Sequence, residues 1–210
     1  NEAQILCSWN GSKQDEQRLN NTSRYEFHVA QHEPYHYSSN MNDLASKSAG
    51  DILMMANDDL ELDPGCIDKA LALFTINQNI GIVGARLRDE KGLLTHAGIL
   101  FDSKFSSYHS LDQLITSSDT NLSPEGPVVA VTGALQWMRR GDFLKHPFNT
   151  SYNVCGEDVE LCIDFQQYLN KQVWLCNQAT AIHEPETTRS QQADQGQNSE
   201  DILRLRIRAQ

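Results

Sequence analysis

The chain has 210 residues, of which 39% are hydrophobic and 21% are charged, as in an ordinary globular protein. No apolar run approaches the ~20 residues that a membrane-spanning helix needs, so we expect no membrane span. The 28 acidic and 17 basic residues give a net charge of −11. This charge, without a strong basic cluster, argues against nucleic acid as a partner.

Short apolar, β-branched runs alternate with helix-like segments, which predicts an α/β fold with a mainly parallel central sheet flanked by helices. Strands are predicted at QILCSW, YEFHVAQ, DILMMAN, NIGIVGARL, PVVAVTGALQWM and QVWLCN. Between them lie a polar segment, KQDEQRLN, and three helical segments, SSNMNDLASKSAG, PGCIDKALALFTINQ and EDVELCIDFQQYLN. The chain therefore has the alternating order of a nucleotide-binding α/β domain.

Local signals predict where three of the helices begin or end. Gly50 suits the position after a helix C-terminus. Asp63 suits an N-cap, and Pro64 suits the first helical position after it. The helix that begins near Glu157 has one apolar stripe and is predicted to end at Asn170.

The polar residues after Ser190 lack apolar periodicity until a stretch that allows a short terminal helix. We therefore expect one domain over residues 1–189 and a loosely attached C-terminal tail over residues 190–210. No internal repeat divides the first segment.

The five cysteines are odd in number and contain no C-x-x-C pair. This usage favours buried free thiols in a reducing compartment, and we expect a cytoplasmic protein. The alternative is a zinc site built from Cys155, Cys162, Cys176 and His183. Its gaps of seven, fourteen and seven residues match no common zinc module.

Asn57, Asp58 and Asp59 directly follow a predicted strand. In an open parallel sheet, ligands bind beyond the carboxyl ends of the strands. Carboxylates at that place suit a hard divalent cation that bridges to a substrate diphosphate. The alternative is a solvated turn, because Asn and Asp are good turn formers.

Glu157 and Asp158 open a predicted helix, and His183 ends an apolar strand. Each has a structural explanation, since the helix dipole favours acidic residues in a first turn and a single histidine is more often a surface residue than a ligand. Taken with the carboxylates after DILMMAN, they place three groups of polar side chains at junctions between elements. We therefore treat the three groups as one candidate site.

Five blocks follow one another along the chain: AGDILMMANDDLELDPG, IGIVGARLRDEKGLLTHAGILFD, VVAVTGALQWMRRGDF, CGEDVELCIDF and ATAIHEPETTR. Their order and spacing resemble the inverting family 2 glycosyltransferases with the GT-A fold, over residues 1–189. The resemblance implies a hexosyltransferase-like enzyme of glycan biosynthesis. Such an enzyme moves a sugar from a nucleotide-sugar donor to a saccharide or other hydroxyl acceptor, assisted by Mg²⁺ or Mn²⁺.

The resemblance also implies roles for individual residues. Residues 57–59 stand at the family's Asp-any-Asp motif, which puts Asp59 at the metal position. His183 matches the histidine that completes the metal and diphosphate site. Asp158 is the implied catalytic base, with Glu157 beside it. The implied donor-binding residues are Asn57, Asp58, Trp9, His96, Gly133 and Arg189.

The chain departs from the family pattern in three places. It starts at what resembles the family's second strand, so we expect the first strand-helix unit to lie upstream in a longer protein with further domains, or to be missing. Trp9 stands where the family often has an Asp that holds the nucleoside, although its ring can stack on a base. KHPFNTSYNV also lacks the Gly-Gly-Phe-Asp turn that often precedes the Glu-Asp motif.

Two other functions remain open. A sugar nucleotidyltransferase would need a glycine-rich, basic triphosphate loop near its N-terminus, and none is visible. A non-catalytic sugar- or nucleotide-binding domain with the same fold is the second alternative. The N-terminal departure favours it, and the joint presence of Asp59, Asp158 and His183 argues against it.

Overall fold

The computed structural model describes residues 3–8, 12–22, 27–30, 35–183 and 195–210. In chain order its elements are β1 (Ile5–Ser8), α1 (Lys13–Thr22), β2 (Phe27–Ala30), α2 (Tyr37–Lys47), β3 (Ile52–Ala56), β4 (Leu60–Leu62), α3 (Cys66–Ile76), β5 (Ile80–Arg88), β6 (Leu94–His96), β7 (Ile99–Phe101), β8 (Ser107–His109), β9 (Gly126–Pro127), β10 (Leu135–Arg139), α4 (Arg140–Phe143), α5 (Glu157–Tyr168), β11 (Gln172–His183) and α6 (Gln195–Arg208).

A central sheet has the strand order β3-β10-β5-β11-β4, with β6 paired to β5 and β9 paired to β11. Strands β1 and β2 form a separate parallel pair, and β7 and β8 form an antiparallel hairpin. The predicted α/β fold with a central sheet flanked by helices is confirmed.

The strand directions are more mixed than the mainly parallel sheet that we predicted. Strand β10 runs antiparallel to both β3 and β5, while β11 runs parallel to β5. The short strands β4, β6 and β9 are antiparallel to their neighbours. Consequently β3, β5 and β11 share one direction, and their carboxyl ends lie at the edge where β10 begins.

The sheet separates two apolar layers, and β10 contributes to both. Trp137 packs with Phe74 of α3 on one face, and the next residue, Met138, packs with Phe165 of α5 on the other. All four side chains are buried. Since burying one large apolar side chain stabilises a protein by about 1.5–3 kcal/mol, these layers hold the strand ends in fixed positions.

The prediction that Asp63 caps α3 and that Pro64 opens it is wrong. The N-cap is Gly65, whose φ of 81° places it in the left-handed region. The Asp63 carboxylate instead accepts two hydrogen bonds from Arg88, at 2.5 and 2.8 Å, and one from the Thr180 hydroxyl. A bidentate, charge-assisted contact is stronger than a single bond to a helix amide, so it determines where this side chain points.

Two other predicted helix ends also differ. Helix α2 ends at Lys47, and its C-cap Ser48 has extended backbone, so Gly50 lies beyond the position that we predicted for it. Helix α5 ends at Tyr168 rather than at Asn170. Asn170 has a φ of 51°, and this left-handed residue turns the chain out of the helix.

Strand β10 covers only the last part of PVVAVTGALQWM, from Leu135, and Pro127 at the start of this run belongs to β9. Between these two strands, the Thr132 and Gly133 N–H groups donate to side chains rather than to a neighbouring strand. Conversely, β11 is longer than predicted and continues through an irregularity between Cys176 and Thr180 to His183. Continuous apolar runs do not distinguish a strand from a buried loop.

The expectation of a loosely attached tail is wrong for its helical part. Helix α6 has 14 residues, and both Asp201 and Leu205 are buried. The domain boundary at residue 189 stays a prediction. None of the helices in the described ranges is both long enough and apolar enough to cross a membrane.

All five cysteines are free thiols, as predicted. Cys66, Cys162 and Cys176 are buried, while Cys7 and Cys155 are half-buried. Burial raises the pKa of the Cys66 thiol to about 11. A thiol with so high a pKa is unreactive near neutral pH, so we assign Cys66 to packing.

Candidate functional site

The turn after β3 and the end of β11 come together at one edge of the sheet. Strand β4 follows this turn and pairs with β11 so that Leu60 lies opposite His183. This pairing brings Asp59 Oδ1 to 3.3 Å from His183 Nε2. The Asn57 side-chain amide lies 3.5 Å from the same nitrogen. Two of the three predicted groups of polar residues are therefore in contact.

This contact is partly open to solvent. The Asp59 side chain is 36% exposed and the His183 side chain is 18% exposed. Asp58 is also exposed, in the turn beside Asp59. A carboxylate oxygen and an imidazole nitrogen thus lie side by side where a ligand can reach them.

The third group joins the site through the segment Thr132–Ala134, which leads into β10. The Thr132 N–H donates to His96 Nε2 (3.3 Å). The Gly133 N–H donates to Asp158 Oδ2 (2.7 Å). The last carbonyl of the segment accepts the Asn57 N–H (2.9 Å). One three-residue segment therefore fixes His96, Asp158 and Asn57 relative to one another.

The Asp158 carboxylate is held by backbone on both sides. Oδ2 accepts the Gly133 N–H, and Oδ1 accepts the Val159 N–H at 2.8 Å. Asp158 is only 7% exposed, and the neighbouring Glu157 is 8% exposed. Because a carboxylate has about four lone-pair sites, Asp158 retains capacity to accept a further hydrogen bond.

Two glycines permit this arrangement. A Cβ added at Gly133 would lie 3.2 Å from the Asp158 Cβ, which is tighter than normal packing. Gly156, the N-cap of α5, has a φ of 105°, and a Cβ there would lie 2.9 Å from the Tyr152 ring. The close approach of loop and helix therefore depends on residues without side chains.

His96 is buried beneath the same segment. Its Nε2 accepts N–H bonds from Gly98 and Thr132, so its Nδ1 carries the proton and donates to His109 Nδ1, 2.9 Å away. Burial, together with the nearby imidazoles of His109 and His183, holds the pKa of His96 well below its usual range. His96 is therefore a neutral support for the backbone of the site.

Asp59 and His183 are the residues that fit a divalent cation. Mg²⁺ is commonly held by one or two protein carboxylates together with substrate phosphates, and imidazole is a good ligand for transition metals. In the described ranges, no group of three or more His, Cys, Asp or Glu side chains is placed to hold a metal. A cation at this pair would therefore take its other ligands from a bound diphosphate and water.

Trp9 and Arg189, to which we assigned donor-binding roles, lie outside the described residues. Three residues that the sequence reasoning did not single out are His109 and Thr132, which both bond to His96, and Tyr37, whose hydroxyl lies 3.6 Å from the position of a Cβ at Gly133. None of these three carries a local sequence signal for that role.

The fold is the GT-A fold, which is also the fold of the solved structures to which the chain is similar. Among solved structures, the chain is similar to GalNAc-T7 solved with UDP, GalNAc and Mn²⁺, with a TM-score of 0.69 and 13% identity over 95% of this chain and 40% of that one. It is also similar to a mannosyltransferase of Pyrobaculum calidifontis in complex with GDP-Man and Mn²⁺. That similarity has a TM-score of 0.61 and 11% identity over 89% and 49% of the two chains.

By sequence, the chain is 27% identical over 143 residues to the O-antigen biosynthesis protein RfbC of Myxococcus xanthus. The match covers 61% of this chain and 10% of RfbC, so the chain spans a small part of that relative. No protein-family model matches the chain.

Proposed function

We propose that this protein transfers a sugar from a nucleotide-sugar donor to a hydroxyl acceptor, with inversion at the anomeric carbon and with help from Mg²⁺ or Mn²⁺. The observation that carries the proposal is the bonding of Thr132–Ala134 to Asp158, His96 and Asn57, with Asn57 in turn beside Asp59 and His183. A candidate base and a candidate diphosphate site thus lie at one edge of a GT-A sheet.

Asp158 is proposed as the base. The acceptor hydroxyl must lose its proton as its oxygen attacks the anomeric carbon, and a carboxylate within hydrogen-bond reach can take that proton. The two backbone N–H bonds fix the Asp158 carboxylate without using all of its lone pairs. Attack from the face opposite the leaving diphosphate would invert the anomeric centre in one displacement. Glu157 is proposed to assist beside it.

Asp59 and His183 are proposed to hold the divalent cation. When bound, the cation offsets the negative charge that grows on the departing diphosphate. Asn57 and Asp58 are proposed to line the donor side of the same turn, and Gly133 to let the donor and Asp158 approach closely. Trp9 is proposed to stack on the nucleobase, and Arg189 to add positive charge at the phosphates.

We also propose that residues N-terminal to Asn1 supply a strand beside β3 and complete the nucleobase pocket. Strand β3 is apolar along its whole length, as strands buried on both faces are. Among the described residues, however, it pairs with β10 only, and Met54 is 39% exposed. In the presence of upstream residues, amide exchange over Leu53–Ala56 should slow and nucleotide affinity should rise. Unchanged exchange there would contradict the proposal.

A thermal-shift screen of nucleotide sugars, with and without Mn²⁺, tests the proposed function. A donor that binds only the folded state raises the unfolding temperature by mass action, and we expect its effect to require the cation. The stabilising donor is then offered to candidate acceptors in a transfer assay. Binding without transfer would support the alternative of a non-catalytic GT-A-like binding domain. No stabilisation by any nucleotide sugar when the upstream residues are present would contradict both.

A further inference from the structure

The C-terminal helix α6 is attached to the loop that precedes α5 by one buried carboxylate. Asp201 is fully buried, and its Oδ2 accepts three consecutive backbone N–H groups, from Asn153 (2.9 Å), Val154 (2.6 Å) and Cys155 (3.2 Å). The donors are 46 to 48 residues away in sequence. Because one carboxylate oxygen accepts all three N–H groups, it fixes the backbone of the loop over residues 153–155.

Other contacts hold α6 in the same place. The Cys155 thiol donates to Asn198 Oδ1 at 3.2 Å, and the Arg208 guanidinium donates to Asp164 of α5 at 2.5 Å. Leu205 is buried, and its Cδ2 lies 3.5 Å from the position of a Cβ at Gly156. The helix therefore contacts both the loop and the body of α5.

Helix α5 has no side-chain cap of its own. Its N-cap, Gly156, has no side chain to cap the helix, and its φ of 105° lies in a region that glycine adopts more readily than other residues. The three amides held by Asp201 lie immediately before this glycine. The carboxylate from α6 thus fixes the chain just before α5, up to Cys155, three residues ahead of Asp158.

We propose that Asp201 is a positioning residue for sugar transfer, which fixes the start of α5 and thereby places the Asp158 carboxylate against the Gly133 N–H. This proposal rests on the proposed function. Without the Asp201 carboxylate, three partly buried backbone donors lose their acceptor, and a donor left without a partner costs free energy. The loop then shifts to find water, and α5 begins in a less defined place.

The donor side of the site does not depend on this contact. Asp59 follows β3, and His183 ends β11, so neither is attached to the 153–155 loop. Loosening the loop should therefore slow transfer while it leaves donor binding unchanged. A general loss of folding would affect both.

The test compares Asp201→Ala, Asp201→Asn and the matched control Glu200→Ala, an exposed acidic residue on the same helix. For each variant, donor affinity is measured by titration, transfer by single turnover at saturating donor, and loop order by amide exchange over residues 149–156. We expect Asp201→Ala to lose transfer at least ~10-fold, since a misplacement of about 1 Å can cost roughly 100-fold. Its donor affinity should stay within about twofold, because the charged donor-side contacts are unchanged.

Asp201→Asn should recover most of the rate, because its carboxamide oxygen can accept the same amides. Glu200→Ala should match the wild type in every measurement. Should Asp201→Ala fail to fold, Leu205→Val loosens the same helix without leaving a backbone donor unpaired, and it should slow transfer with donor binding unchanged.

A transfer rate for Asp201→Ala equal to that of the wild type, with faster loop exchange, would overturn the positioning role and leave the proposed function standing. Equal losses of donor affinity and transfer rate would also overturn it, as a mark of general destabilisation. A wild type that binds a nucleotide sugar but transfers none would overturn the proposed function, and the positioning role with it.

Discussion

Asp59 and His183 lie at strand ends where solvent reaches them, whereas Asp158 and His96 are buried and bonded to backbone amides. Because solvent reaches the contact between Asp59 and His183, this pair can exchange it for contacts with a ligand. The buried pair is fixed by N–H groups of the same loop, so its geometry is set before any ligand binds. In the proposed function, the exposed half of the site therefore binds the donor, and the buried half positions the base.

The two halves are also joined differently to the fold. The exposed half depends on one strand pairing, between β4 and β11. The buried half depends on contacts between segments far apart in sequence, such as Gly133 with Asp158 and Asp201 with the 153–155 loop. Substitutions in the two halves should therefore separate ligand binding from the rate of transfer.

The largest effect is expected for Asp158→Asn. Asparagine keeps the shape but cannot act as a base, so single-turnover transfer should fall at least ~100-fold, the usual scale for loss of a general base. It also keeps only one of the two backbone bonds that Asp158 accepts, because its NH₂ group cannot accept. Donor and metal binding should be normal.

Thermal unfolding of Asp158→Asn measures the cost of the lost hydrogen bond separately from the chemistry. Glu157→Gln is the comparison on the neighbouring residue, and it should cost less activity. If Asp158→Asn transfers sugar at close to the wild-type rate, the inverting mechanism proposed here is wrong.

For the donor half, we expect Asp59→Ala to remove the enhancement of nucleotide diphosphate binding by Mn²⁺. The loss of one charged contact, worth about 1.5 kcal/mol or more, weakens binding roughly tenfold or more. The fold should survive, since Asp59 is 36% exposed. Calorimetric titration with and without EDTA measures the effect. Asp51→Ala, an exposed acidic residue just before β3, is the control, and equal metal dependence in Asp59→Ala would exclude Asp59 from the role.

The sequence was sufficient to predict that both parts of the exposed half, the 57–59 turn and His183, lie at the ends of strands. Turn-forming residues after an apolar run predicted that the 57–59 turn follows a strand, and a run of β-branched residues predicted a strand before His183. Both signals are local, because they depend on the periodicity of neighbouring residues. The resemblance to a family then supplied the roles, which periodicity alone does not give.

The buried half was only partly predictable. An apolar run such as PVVAVTGALQWM is compatible with a strand or a buried loop. The hydrogen bonds of the Thr132–Ala134 segment could therefore not be predicted from the sequence. Asp201 stands in a polar stretch, and its partners lie 46 to 48 residues away. Asp63 was misassigned for the same reason, since a distant Arg88 competes for it. Contacts of this kind have no signature in a single sequence.

The buried half should also make stability depend on pH through His96. Burial lowers the pKa of this histidine in the folded state, while in the unfolded chain its pKa is about 6.5. Below that pH the unfolded state binds the extra proton, so the free energy of unfolding should fall as pH falls, by up to about 1.4 kcal/mol per pH unit for this one group. Above pH 7 its contribution should be constant.

Denaturant titrations from pH 7.5 to pH 5 measure this slope, and His96→Gln is the comparison because its amide oxygen can still accept from the loop. The variant should show a shallower decline over the same range. Parallel curves for the two proteins would mean that His96 is not the group that titrates.

The smallest effect is expected for Gly133→Ala, which tests how closely the loop must approach Asp158. The added methyl would lie 3.2 Å from the Asp158 Cβ and 3.5 Å from its Oδ2, so loop or helix must move by a few tenths of an ångström. Because a shift of about 1 Å can cost roughly 100-fold in rate, this smaller shift should slow single-turnover transfer at saturating donor several-fold. Gly141→Ala is the matched control, since a Cβ there meets no atom within 4 Å. It should transfer sugar at the wild-type rate and unfold at the same temperature or slightly higher. If Gly133→Ala transfers sugar as fast as Gly141→Ala, the contact between the loop and Asp158 does not set the position of the base. The buried half of the site would then not act as a positioning half.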